Sequence, residues 1–240
     1  MNYFTNRNGL RLAYNFSIKN PNDRKIYITC LMWPTQLFWL CGFIFEFLEA
    51  NTFKFDFTGD GDSEGEHSHG SYRRDADDIE DAVKFLNSRG YEVSGIIAYS
   101  KYTTGLFLYS ALYGEVKNII AIAPRFHMHV FPKFLEDRMH VIKESGWIIH
   151  EAYGRTWKIT MEMVQEMRSI DMKYYCERAK GDIYIIHGDS DEICPYSDSL
   201  EFVNEVKEKC KGHFTLNCDH YFVGVFDEVV EIIQKIISGN

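Results

Sequence analysis

The stretch IIAYSKYTTG, residues 96–105, decides how this chain is read. A continuous apolar run ends at Tyr99, a serine follows, and the residues beyond it suit a helix through TTGLFLYSALYG. Apolar residues without alternation mark a strand buried on both faces, as in a parallel sheet. Working outward, the same strand–helix rhythm recurs. VKNIIAIA follows as a strand. Upstream, DADDIEDAVKFLNSRG (75–90) sets Ala76, Ile79, Ala82, Val83 and Leu86 at helical spacing. Acidic residues crowd its first turn, and Gly90 stands where a C-terminal cap belongs. TFKFDF (52–57) and KIYITCLM (25–32) read as strands, with a helix in FWLCGFIFEFLEA between them.

Towards the C-terminus the rhythm resumes. DIYIIHG (182–188) is a strand, a helix lies near 197–210, HFTLNC is a strand, and a last helix carries Val225, Phe226, Val229, Val230, Ile233 and Ile237 on one stripe. Asn8-Gly9 between two extended segments predicts an antiparallel hairpin at the N-terminus. Residues 126–180 differ in texture: charged, Met-rich helical segments and a candidate hairpin, WIIHEAYGRTWKIT. The expected fold class is α/β. It is a mostly parallel sheet with an N-terminal antiparallel hairpin, and a small lid inserted at about 126–180 above the carboxyl ends of the strands.

Composition narrows the function classes. The 240 residues, 45% of them hydrophobic, suffice for one large domain with a real core. A formal net charge of −9 with no basic cluster argues against nucleic acid. The six cysteines are scattered, and the opening MNYFTNRNGL has no signal-peptide pattern, so free thiols in the cytoplasm are expected. The apolar run 26–48 is broken by Pro34-Thr35-Gln36, and each half is too short to cross a bilayer. A strand, a turn and a helix are expected there, and membrane partners are not.

Three residues after strands carry the chemistry. Ser100 follows GIIAY, Asp191 lies in HGDSDEICP, and His220 lies in NCDHYF. Acyl transfer needs a nucleophile, a base that takes its proton, and a carboxylate that orients the base. In open α/β sheets these run in the order Ser, acid, His. Taken singly, each has a bland explanation as a helix cap, a loop carboxylate or a surface histidine. The ordered set is what points to acyl transfer. Asp189 is the alternative acid, and His187 reads as loop support. DGDSEGEHSHGS (60–71) alternates acids like a calcium loop, but Ser71 stands where a bidentate Glu is required. His67 and His69 lack further ligands at zinc spacing. Neither metal nor cofactor is expected.

The sequence resembles the α/β-hydrolase superfamily, most of all its serine aminopeptidase-like branch, which includes cinnamoyl (feruloyl) esterase-like proteins. FDFTGDGDSEGE (55–66) resembles that branch's Asp-x-x-Gly-x-Gly-x-Ser-x-Gly loop, and HGDSDEICP its His-Gly-x-x-Asp-x-x-x-Pro acid loop. The Ser100 segment aligns without a gap on its Gly-His-Ser-x-Gly-Gly turn. The resemblance implies Ser100, Asp191 and His220 as catalytic residues and the backbone N–H groups of Trp33 and Lys101 as oxyanion donors. It also implies that Asp191, not Asp189, is the acid. Two departures stand out. Tyr102 replaces a small residue two positions after the serine, and Leu31-Met32 replaces a His-Gly beside the oxyanion hole. A tyrosine at 102 is expected either to shift the helix outward or to turn its ring towards the pocket, misaiming the Lys101 N–H.

Two classes of function follow. One is a serine hydrolase acting on a carboxylic ester or thioester, with acyl transfer to another acceptor as a variant. The other is a catalytically weak or inactive relative that binds or scaffolds. Phe131, Phe134, Trp147, Trp157, Met161, Met163 and Met167 in the lid suggest an apolar acyl or aryl group on a small-molecule substrate.

Overall fold

A computed structural model describes residues 1–30, 39–68, 70–131, 133–152 and 155–239. The chain begins with β1 (Asn2–Thr5) and β2 (Arg11–Ser17), then β3 (Lys25–Cys30), α1 (Trp39–Phe47) and β4 (Thr52–Phe55). The helix α2 (Tyr72–Ser88) leads to β5 (Glu92–Tyr99), α3 (Lys101–Leu112) and β6 (Asn118–Ile122). Residues 126–180 hold α4 (Lys133–Glu136), α5 (Met139–Ser145), the hairpin β7 (Trp147–Ala152) and β8 (Arg155–Thr160), α6 (Met161–Ser169) and α7 (Met172–Arg178). β9 (Asp182–Gly188), α8 (Tyr196–Val206), β10 (Cys210–Leu216) and α9 (Phe226–Ser238) complete the chain.

Eight strands form one sheet in the order β1-β2-β4-β3-β5-β6-β9-β10. β2 pairs antiparallel with β1 and β4, and the other neighbours run parallel. The predicted hairpin is present, but its turn is wider than Asn8-Gly9 alone. Asn6 organises it by accepting the Asn8 and Leu10 amides on its side-chain oxygen. A polar residue bonding its own backbone a few positions on stabilises such a turn.

The central strands are buried on both faces, as their unbroken apolar runs predict. Ile96 and Ala98 of β5 point into the core beneath α2, α3 and α8, while Ile97 and Tyr99 point into the core beneath α1 and α9. The predicted stripe of α9 packs on this second core, with Ile236 buried in addition. The expected stripe of α2 is likewise buried, although the helix starts three residues earlier, at Tyr72. Residues 126–180 share the first core through Met128, Phe131, Ile148, Ile159, Val164 and Met167. The expected break of the apolar run 26–48 falls at 34–36, outside the described residues. Of that run, β3 and α1 are the parts seen. Among the described residues, no helix is long and apolar enough to cross a membrane.

Candidate active site

The carboxyl ends of the parallel strands lie on one edge of the sheet, so the loops after β5, β9 and β10 meet there. Ser100 occupies the turn between β5 and α3 with φ 53° and ψ −122°. A side chain in this sparsely populated region costs about 1–3 kcal/mol, which only surrounding structure can hold in place. Here the Ser100 amide donates to the Ile122 carbonyl at 2.8 Å, and the Ser100 carbonyl accepts from Thr103 N and Oγ1. The turn lifts Oγ out of the sheet. It also leaves the Lys101 N–H at the start of α3, among amides with no partner inside the helix.

The three predicted side chains come together. The Ser100 hydroxyl donates to His220 Nε2 at 3.0 Å, and His220 Nδ1–H donates to Asp191 Oδ2 at 2.7 Å. His220 and Asp191 are buried. The carboxylate fixes the tautomer: with the proton on Nδ1, Nε2 is left as the acceptor facing the serine. The His220 loop is itself pinned, because the Tyr99 hydroxyl donates to the His220 carbonyl at 2.7 Å.

Asp191 is saturated with donors. Its Oδ1 accepts the amides of Ile193 and Cys194, each at 2.8 Å. His187 Nε2–H donates to the Cys194 carbonyl at 2.8 Å and lies 3.3 Å from Asp191 Oδ2. Burial pushes the Asp191 pKa up, but the His187 and His220 bonds outweigh it and hold the carboxyl well below the usual range. Asp189 is exposed, and among the described residues its carboxylate accepts a hydrogen bond only from the neighbouring Ser190 hydroxyl. Gly188 lets the two loops meet, since a Cβ there would fall 2.4 Å from the Cys218 carbonyl oxygen.

Tyr102 does something the sequence did not suggest. Its ring is buried and stacked on Phe57, with centroids 4.3 Å apart and planes 12° from parallel. Its hydroxyl donates to Asp60 Oδ2 at 2.6 Å. Asp60 sits in the loop after β4, and its other oxygen meets His67 Nδ1. Burial opposes the Asp60 charge, yet His67, Lys101 and Tyr102 bring its pKa down to about 2. The Lys101 ammonium donates to the Ser68 carbonyl at 3.0 Å and lies 3.2 Å from Asp75 Oδ2. That approach is close enough for charge attraction, and among the described residues neither Asp75 oxygen has a hydrogen-bond partner in good geometry. The only signal available was general: a large polar residue taking the place of a small one needs a buried polar partner, and the structure, not the sequence, names Asp60.

Trp33 and Leu31-Met32 lie outside the described residues, as does His69. Residues 126–180 approach this edge of the sheet: Trp157 stacks at 6.0 Å on His67, His150 stacks on Phe134, and Glu166 accepts the Arg73 amide at the start of α2. Phe131 and Met167 are buried, whereas Trp147 is exposed. Among the described residues, no group of three or more His, Cys, Asp or Glu is placed to hold a metal ion.

Solved structures share this architecture. Est1E of Butyrivibrio proteoclasticus, solved with ferulic acid bound, aligns over 100% of this chain and 98% of its own at TM-score 0.78 and 18% identity. The fold is that of the α/β hydrolases. An esterase of Exiguobacterium antarcticum aligns over 98% of each chain at TM-score 0.71 and 13% identity. The esterase domain of a Rhodothermus marinus protein aligns over 98% of this chain and 95% of its own, at TM-score 0.70 and 16% identity. No protein-family model and no curated protein sequence matches the chain. At these identities the likeness establishes the α/β-hydrolase fold, and function rests on the site.

Proposed function

We propose that this chain is a serine hydrolase that cleaves a carboxylic ester or thioester through an acyl-enzyme on Ser100. The observation that carries the reading is the hydrogen-bonded line Ser100–His220–Asp191, with the serine on a strained strand-to-helix turn. Esterase names among the structural neighbours agree with it.

In this mechanism Ser100 Oγ attacks the carbonyl carbon as its proton passes to His220 Nε2. Asp191 stabilises the imidazolium that forms and keeps the ring oriented. The new oxyanion is met by the Lys101 N–H at the positive end of α3, with the Trp33 N–H as the second donor. Collapse expels the alcohol or thiol, which takes the proton from Nε2. Water then enters, gives a proton to His220 Nε2 and attacks the acyl carbon; collapse frees the acid as Ser100 Oγ leaves and takes that proton back from Nε2. No metal or cofactor takes part. Residues 126–180 act as the lid of a single α/β-hydrolase domain, and those of their aromatic side chains that are not fully buried in the core, such as Phe134 and Trp157, favour an apolar acyl or aryl group. A cytoplasmic setting suits the free thiols of Cys30, Cys176, Cys194, Cys210 and Cys218.

Hydrolysis of p-nitrophenyl acetate by the wild type and by Ser100→Ala tests the reading. Turnover by the wild type that disappears in the variant is expected. Equal rates for the two would overturn it.

A further inference from the structure

The two residues that follow Ser100 both send their side chains into one buried polar cluster. Tyr102 reaches Asp60, and Lys101 reaches Asp75 and the Ser68 carbonyl. Asp60 and Ser68 belong to the β4–α2 loop, and Asp75 to the first turn of α2. All of these residues, Lys101 included, are nine-tenths or more buried by side chain or by residue. The first turn of α3 is therefore tied at two successive positions to a loop and a helix outside the triad.

Such a cluster is a poor way to gain stability. Buried ions lose hydration that their pairing seldom returns in full, and well-packed apolar groups of the same size usually do as well. Here, among the described residues, neither Asp75 oxygen has a hydrogen-bond partner in good geometry. What the cluster does supply is fixed geometry. The stacked ring and its hydroxyl bond set the direction of the Tyr102 side chain, and the Lys101 contacts set the one before it. Between Ser100 and these anchors lies the Ser100–Lys101 peptide, whose N–H is the proposed oxyanion donor. In folds of this kind a small residue two positions after the nucleophile lets the turn close. Here the space is filled and the position is held by polar anchoring.

We propose that Asp60, Asp75 and the side chains of Lys101 and Tyr102 are positioning residues, a polar clamp that holds the Lys101 peptide N–H in line with Ser100. The role assigned to that N–H rests on the hydrolase reading above. The clamping itself does not. His67 braces Asp60 from the far side, so the carboxylate that receives the Tyr102 hydroxyl cannot rotate away.

Tyr102→Phe removes only the hydroxyl, and Lys101→Met removes the ammonium while leaving the backbone N–H. Two readouts separate the clamp from the hydrolase reading. The first is hydrogen exchange of the amides at 101–104 by mass spectrometry. Both variants are expected to raise it by at least about tenfold, because local opening of the helix start is what the clamp suppresses. The second is ester turnover. kcat is expected to fall about ten- to a hundredfold, the scale of a small misplacement at a reacting centre, with KM within about twofold of wild type. Lys101→Arg, which keeps the charge, is expected to recover part of the loss. Adding Asp60→Asn to Tyr102→Phe is expected to lower kcat little further, since both act on one contact. Unchanged exchange at 101–104 in both variants overturns the clamp. So does raised exchange with wild-type kcat, which leaves the cluster a purely structural role. A wild type without turnover defeats the hydrolase reading and the donor's role with it, while the exchange data still decide whether the first turn of α3 is clamped.

Discussion

Asp75→Asn makes the cost of the buried charge beside the elbow measurable. Asp75 is fully buried in α2, and burial raises its carboxyl from an ordinary 3.8 to about 6, with Lys101 offsetting only part of the effect. Between those two values the folded chain keeps a proton that the unfolded chain has released. Stability therefore falls as pH rises through that window. At about 1.4 kcal/mol per pH unit, the full loss is on the order of 3 kcal/mol. Asp60 and Asp191 act in the opposite sense. Their pKa values are depressed, so the stability they lend is present above the unfolded value and is lost on acidification. Subtracting the variant from the wild type cancels the Asp191 contribution and leaves from Asp60 only its coupling to Asp75. The assay is urea unfolding of both proteins from about pH 4 to about pH 7.5, followed by tryptophan fluorescence. The stability of Asp75→Asn relative to wild type is expected to grow by about 2.5 kcal/mol across that range. A difference that stays flat within about 0.5 kcal/mol, or that shrinks as pH rises, would refute the reasoning by showing that the Lys101 pair compensates for burial.

Other consequences are as direct. Asp191→Asn keeps the shape of the triad but disfavours the required His220 tautomer, so kcat for p-nitrophenyl acetate is expected to drop about 10⁴-fold with little change in KM. Tyr102→Gly opens a hole against Phe57 and strands Asp60 without its donor. Thermal unfolding should show a loss of about 3–5 kcal/mol together with lower, not higher, turnover. Gly188→Ala forces a methyl group onto the Cys218 carbonyl, so a loss of about 1–3 kcal/mol in urea unfolding is expected, along with slower turnover as the His220 loop moves.

Much of the fold could be read from periodicity, because strands buried on both faces leave unbroken apolar runs such as GIIAY, and amphipathic helices leave stripes such as that of α2. Ser100, Asp191 and His220 were legible because chain order and loop position are properties of the sequence. The Tyr102 contact was not. A ring displaced into the core needs a partner forty-two positions away, and nothing local to the elbow names Asp60. In the sequence Asp60 was one of several alternating acids in a loop whose calcium reading fails at Ser71, whereas in the fold it is buried. His187 was correctly read as loop support, but its approach to the oxygen that serves His220 depends on how the acid loop closes. The α2 helix starts earlier than its charge pattern suggested, because Tyr72 is buried and extends the packed face.

The central claim is that Ser100 is an activated nucleophile, and covalent labelling tests it most directly. The intact wild-type protein is treated with a fluorophosphonate at neutral pH, and the adduct is mapped by peptide mass spectrometry, with His220→Ala as the control. A single adduct on Ser100 that is lost or strongly slowed in the control is the predicted result. No adduct on Ser100, or labelling at the same rate without His220, would contradict the account.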